Sequence, residues 1–321
     1  MKVLITLLGR IGDMILLTPS FKLIKDKYPE AQIDIIASRH NYIIPKLNPH
    51  INYVYIYDKK FVNVIKLIYR LRREFYDFYI DPKDHFSRES YIFSRIVKAR
   101  KKIGYNRPGY NNFDISVDNS QQNKNLFHSI RILKSLKHLG IEVPELLPKP
   151  ILFEDPNSKE YVEKNFPKFN DNRQIALLNI SASKDYRMWK IENWEKFIDE
   201  FSKNNIYFIL SCEPRHKPLA ERLIGKNSFL FPSRNFNDIV SLVRKVDLVV
   251  TPDTSIVHVA SAWNKPTFAL YVGHEYLYWW FRPVSDYNRS VLAPDGKDVP
   301  DIDYDTVKNE FYMFINNLHI D

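Results

Sequence analysis

Three stretches of this sequence combine residue types that could do chemistry with spacing that would aim them at a ligand. The first is Gly9-Arg10-Ile11-Gly12-Asp13, which follows directly on the β-branched and leucine-rich Lys2-Val3-Leu4-Ile5-Thr6-Leu7-Leu8. Glycines permit positive φ and close backbone approach, and a carboxylate in a first helical turn is favoured by the helix dipole. Turn chemistry alone leaves Asp13 as either a ligand-facing carboxylate or an ordinary N-terminal helix acid. The second is Thr251-Pro252-Asp253-Thr254-Ser255-Ile256-Val257-His258, in which a buried-type strand ends in a hydroxyl-rich turn and becomes a helix. Free amides and the positive end of that helix suit a phosphate, with Thr254 and Ser255 as further donors. A plain N-cap is the competing reading, and His258 one turn in could be a satisfied helix histidine. The third, Ser181-Ala182-Ser183-Lys184-Asp185-Tyr186-Arg187, offers hydroxyls and two cations after another strand. Two donor-rich turns from one sheet suit a diphosphate, whose oxygens accept charge-assisted bonds from amides, hydroxyls and a guanidinium together.

Such turns need strands before them and helices after. Strands are expected at residues 2–8, 32–37, 53–57, 78–81 and 102–105, and helices at 19–28, 62–73, 90–97 and 126–139. Val64, Leu67, Ile68 and Leu71 form the apolar stripe of the second helix, and Gly140 closes the last. The proline-rich residues 143–171 read as a linker. The alternation resumes with strands at 174–180, 206–211, 247–250 and 267–272, and helices at 194–203, 218–224, 239–243, 256–262 and 305–318. The last helix is expected to pack back across the boundary. This pattern predicts an α/β protein with two Rossmann-like doubly wound domains, residues 1–150 and 151–321, facing a central cleft.

Composition narrows the class. With 321 residues, 45% hydrophobic and 26% charged, the chain is of ordinary globular type and long enough for two cores. Its apolar N-terminus is cut by Arg10 and Asp13, so neither a membrane span nor a signal peptide is expected. Cys212, the one cysteine, excludes an internal disulfide. A net charge of +9 favours acidic partners. It is concentrated at Arg70, Arg72 and Arg73 and at Lys98, Arg100, Lys101 and Lys102, and each cluster could equally be a solvated helix end.

The motifs together carry a resemblance. Gly12-Asp13-Met14-Ile15-Leu16-Leu17-Thr18-Pro19 resembles the G-D-x-x-L-x-T-P opening of the ADP-heptose:lipopolysaccharide heptosyltransferases, glycosyltransferase family 9. Residues 76–81 resemble that family's Y-D-x-x-I-D strand, residues 102–105 its R-I-G-Y turn, and His128 its histidine opening a helix. Arg187-Met188-Trp189 with Trp194 resembles K-x-W-P-x-x-x-W, and Asp253-Thr254-Ser255-Ile256-Val257-His258-Val259-Ala260 resembles D-[ST]-G-x-x-H-x-A. Arg187 stands for the family's lysine, Ser255 for its glycine and Lys190 for its proline. The first exchanges a point cation for a planar fork.

The resemblance implies a GT-B fold with the acceptor on the N-terminal domain and the nucleotide-sugar on the C-terminal one. Asp13 is then the general base. Ser181, Ser183, Lys184, Arg187, Asp253, Thr254, Ser255 and His258 bind the donor. Arg10, Gly12, Arg70, Arg72, Arg73, Lys83, Arg88 and His128 meet the acceptor. The expected activity is inverting transfer of a heptose from ADP-heptose to a lipopolysaccharide inner core or related anionic glycolipid. No cofactor or metal is expected, since no D-x-D stands beside these turns and Asp301-Ile302-Asp303 lies in the tail. A monomer in the cytoplasm, peripheral on the inner face of the membrane and without nucleic acid, completes the expectation. The competing classes are a family-9-like transferase with another nucleotide-sugar or acceptor, an inactive member of the family, a nicotinamide-dependent oxidoreductase and a nucleic-acid binder. The first turn lacks G-x-G-x-x-G and no recognition motif for DNA or RNA is visible.

Overall fold

The computed structural model describes residues 1–169 and 171–318, which divide into two compact units, Met1–Phe153 and Glu154–Asp321. In the first unit the strands are β1 (Lys2–Leu7), β2 (Gln32–Ser38), β3 (Tyr53–Tyr57), β4 (Tyr76–Ile80), β5 (Ala99–Gly104) and β6 (Ile115–Ser116). In the second they are β7 (Gln174–Asn179), β8 (Ile206–Ser211), β9 (Ser228–Leu230), β10 (Leu248–Pro252), β11 (Thr267–Tyr271) and β12 (Asn288–Leu292). All pairings between them are parallel. The orders are β3-β2-β1-β4-β5-β6 and β12-β11-β10-β7-β8-β9, the same doubly wound order twice. The order reverses between β1 and β4 and between β7 and β10. Loops leaving the carboxyl ends of those strands diverge to either face and open a crevice in each unit.

Parallel strands buried on both faces read as continuous apolar runs, and Val3, Leu4 and Ile5 or Leu248, Val249 and Val250 are almost fully inaccessible. Leu67 and Leu71 of the helix Phe61–Arg73 pack with Tyr76, Tyr79 and Phe93 in the first core. In the second core, Trp194, Phe197 and Phe201 meet Phe268, Phe311 and Phe314.

Three expectations are corrected. The first helix runs through Ile11–Lys27 with Pro19 inside it. Proline has no N–H for the Ile15 carbonyl, and the Thr18 hydroxyl donates to that carbonyl instead at 2.7 Å. The helix at residues 126–139 is a shorter α-helix, His128–Leu133, tightening into the 3-10 turn Lys134–Leu139 before left-handed Gly140. Within the proline-rich linker, Asp155 and Pro156 cap and start a helix, Pro156–Asn165, which belongs to the second unit. The last helix, Tyr304–Asn316, buries Val307, Phe311 and Phe314 in the core of its own unit. Its aromatic stripe matches the phenylalanines already on that face.

Candidate active site residues

Asp13 is the third residue of the helix Ile11–Lys27, immediately beyond β1. Its Oδ2 accepts from the Arg10 backbone N–H at 2.9 Å, so part of the carboxylate does serve the helix start. Among the described residues Oδ1 accepts no hydrogen bond, and it lies 3.8 Å from His128 Nε2. The carboxylate is about one quarter exposed, at 26%. The loop beneath it is fixed. Asn41 Nδ2 donates to the carbonyls of Leu7 and Gly9 at 3.0 and 3.1 Å, and a Cβ on Gly9 would come within 2.5 Å of Asp13 Oδ2. Gly9 is thus required by the carboxylate's position.

His128 is held from behind. Ser129 Oγ donates to the Leu16 carbonyl at 2.9 Å, clamping the helix His128–Leu133 to the helix that carries Asp13. One turn on, Arg131 forms a buried ion pair with Asp84 in the loop after β4. Burial alone would raise the Asp84 carboxyl, but His85 and Arg131 outweigh it and hold the pKa at about 2. Burial pushes the His128 imidazole below its ordinary value; Asp13 opposes that and the Arg131 charge adds to it. His128 is therefore neutral at neutral pH. Asp81, at the end of β4, is fully buried and its carboxyl is raised by burial, with Oδ1 accepting from the Lys83 N–H at 3.2 Å.

Of the residues expected to meet an acceptor, Arg10, Gly12 and His128 surround Asp13, and Lys83 and Arg88 lie on the loop and helix start after β4. Arg70, Arg72 and Arg73 do not join them. They end the helix Phe61–Arg73, where Arg70 Nη1 donates to the Tyr53 hydroxyl at the start of β3 and Glu74 pairs with Lys2 at the start of β1. This is the amino edge of the sheet, a strand length of roughly 20 Å from the loops at its carboxyl edge.

In the second unit the turns after β7 and β10 meet. Arg187 Nη1 lies 2.9 Å from Asp253 Oδ2, with the two side chains 14% and 6% exposed. Pairing reduces the net charge of Arg187 and fixes the direction of its remaining N–H groups. Asn179 at the end of β7 knits the turns together, its Nδ2 donating to the Ser181 carbonyl and Thr251 Oγ1 at 2.9 Å and to Thr254 Oγ1 at 3.3 Å. Two of the expected ligand hydroxyls are consumed here. Ser181 Oγ donates to Asn179 Oδ1 and accepts from the Glu213 N–H at 2.7 Å, while Thr254 Oγ1 caps the helix Ser255–Ala262 by accepting from Ile256. Ser183 and Lys184 stay exposed, Ser255 is half-buried with its hydroxyl unbonded among the described residues, and His258 is buried one turn into the helix. The D-x-D in the tail is occupied by capping, since Asp303 accepts from the Asp305 and Thr306 N–H groups. Asn41, Asn179, Asp84 and Arg131 were not singled out in the sequence, because a lone buried amide or ion pair leaves no periodic or motif signal.

Two doubly wound units, each with donor groups and a carboxylate where its strand order reverses, are the GT-B architecture. Residues 64–310 match the model of glycosyltransferase family 9 (heptosyltransferase), and the chain belongs to that family. It is a glycosyltransferase. It is 24% identical over 322 residues to lipopolysaccharide heptosyltransferase 3 of Escherichia coli, covering 95% of this chain and 92% of that one. Among solved structures it is similar to a family 9 glycosyl transferase from Veillonella parvula, with a TM-score of 0.82 at 15% identity over 99% of this chain and 97% of that one. E. coli heptosyltransferase WaaC with ADP aligns with a TM-score of 0.76 at 17% identity over 98% of both chains.

Proposed function

We propose that the protein transfers a heptose from ADP-heptose to a lipopolysaccharide inner-core or related glycolipid acceptor, with inversion at the anomeric carbon. The observation that carries this reading is Asp13 Oδ1, a carboxylate oxygen with no hydrogen bond among the described residues, at the carboxyl end of β1 beside Gly9, Arg10 and His128. As general base it takes the acceptor hydroxyl proton while that oxygen bonds to the anomeric carbon. The bond from that carbon to the phosphate oxygen breaks, and the nucleoside diphosphate leaves with the electron pair. His128, kept neutral by its burial, positions the carboxylate without competing as a cation.

The donor diphosphate is read onto the fixed N–H groups of Arg187, the hydroxyls of Ser183 and Ser255, Lys184 and the first amides of the helix Ser255–Ala262. These donors stabilise leaving-group charge without a metal, so full activity in excess EDTA is expected. The acceptor is read onto Arg10, Lys83, Arg88 and His128, and the protein is placed peripherally on the inner face of the cytoplasmic membrane. A relative named as a lipopolysaccharide heptosyltransferase and a structural neighbour named with ADP support the choice of sugar, nucleotide and acceptor. Isothermal titration against ADP, UDP, GDP and CDP tests it. Selective ADP binding, weakened about 10- to 100-fold by Arg187→Ala, is the expected result. Preference for another diphosphate contradicts the donor assignment.

A further inference from the structure

The helix Phe61–Arg73 is apolar on both sides. Leu67 and Leu71 face the core, yet Phe61 is 78% exposed, Tyr69 is 62% exposed, and Val62 and Ile65 are exposed with them. Phe61, Ile65 and Tyr69 follow at four-residue intervals with Val62 alongside, so they form one outward stripe. A helix that simply faced water would carry polar residues there. The same thirteen residues include Lys66, Arg70, Arg72 and Arg73 and no acid. Arg73 lies against the stripe rather than reaching away from it: its Nη1 donates to the Tyr69 hydroxyl at 3.1 Å, with its guanidinium 5.4 Å from that ring. Lys59 and Lys60 precede the helix and exposed Phe75 follows it.

An apolar stripe flanked by cations and free of acids matches a surface that offers hydrocarbon just beneath a layer of negative charge. We propose that this helix docks the protein on an anionic lipid bilayer, with Phe61, Val62, Ile65 and Tyr69 seated at the boundary of headgroups and acyl chains and Lys66, Arg70, Arg72 and Arg73 on lipid phosphates. This rests on the reading that the acceptor is a membrane glycolipid, and it gives the three arginines at the amino edge of the sheet a role apart from the reacting hydroxyl. The chain has no helix long and apolar enough to cross a membrane among the described residues, so attachment through this face is interfacial.

Co-sedimentation of the full chain with phosphatidylglycerol/phosphatidylcholine vesicles tests the proposal against pure phosphatidylcholine vesicles, beside an ADP titration and size-exclusion chromatography of each variant. Wild type is expected to bind the anionic vesicles and not the neutral ones. Phe61→Asn/Ile65→Asn should lower partitioning at least about tenfold while ADP binding is unchanged. Arg72→Glu/Arg73→Glu should abolish it at low salt. Vesicle binding that the apolar pair does not affect overturns insertion, and a wild-type dimer that the same pair dissociates assigns the face to a second copy instead. Nucleotide binding without vesicle binding overturns this inference alone. Vesicle binding without binding of any nucleotide diphosphate overturns the donor reading and leaves the docking face standing.

Discussion

The two units repeat one fold and surround their carboxylates differently. After β1, Asp13 is partly exposed, gives one oxygen to a backbone amide and leaves the other unbonded beside a neutral imidazole. After β10, Asp253 is buried against Arg187. An aspartate with an unengaged, solvated oxygen can accept a proton from a bound hydroxyl. One locked to a guanidinium fixes where that cation points and has little basicity to offer. The two carboxylates stand on opposite sides of the strand-order reversal, Asp13 after the first strand of its unit and Asp253 after the fourth strand of its own, and what separates a proposed base from a proposed anchor is whether a cation stands within hydrogen-bond reach.

Substitutions can break that contrast. The largest effect is expected for Asp13→Asn, which keeps the bond from Arg10 but removes the basic oxygen; kcat should fall by about 10²- to 10⁴-fold in a transfer assay. Asp253→Asn leaves Arg187 as an unpaired cation in a buried place, so both stability and nucleotide affinity should drop, stability by about 3–5 kcal/mol in chemical denaturation. Gly9→Ala sharpens the account of the first unit. The new methyl would meet the mobile end of a side chain rather than backbone, so melting should change little while turnover falls roughly 10- to 100-fold through a displaced carboxylate. The smallest effect concerns His128. Its pKa lies below the ordinary 6.5, so the unfolded chain takes up its proton first as pH falls. Its contribution is complete above about pH 6.5 and is lost progressively below that value, and His128→Gln should flatten this part of the stability profile in chemical denaturation at stepped pH.

Much of this was legible before the structure. Apolar runs of strand length set the sheets, and Gly9, Gly12 and the Thr-Ser turn after β10 marked where helices begin, because glycine freedom and capping are local properties. The part that was not legible depends on distant partners. Ser181 and Thr254 have the residue types of phosphate ligands, but their hydroxyls are spent on Glu213, Asn179 and Ile256. Arg70, Arg72 and Arg73 read as part of an acceptor site because charge carries no information about which end of a sheet it occupies. Pro19 was read as the first residue of a helix, yet Thr18 takes up the carbonyl that proline leaves unbonded and the helix begins at Ile11. An apolar stripe names no partner either, and it took the structure to show that Phe311 and Phe314 of the last helix pack on the phenylalanines of their own unit.

The contrast between the two carboxylates is tested most directly by measuring single-turnover transfer and nucleotide dissociation constants side by side for wild type, Asp13→Asn and Asp253→Asn. The account predicts that Asp13→Asn loses transfer with its nucleotide affinity intact, and that Asp253→Asn loses nucleotide affinity. Transfer by Asp13→Asn within a few-fold of wild type would contradict it.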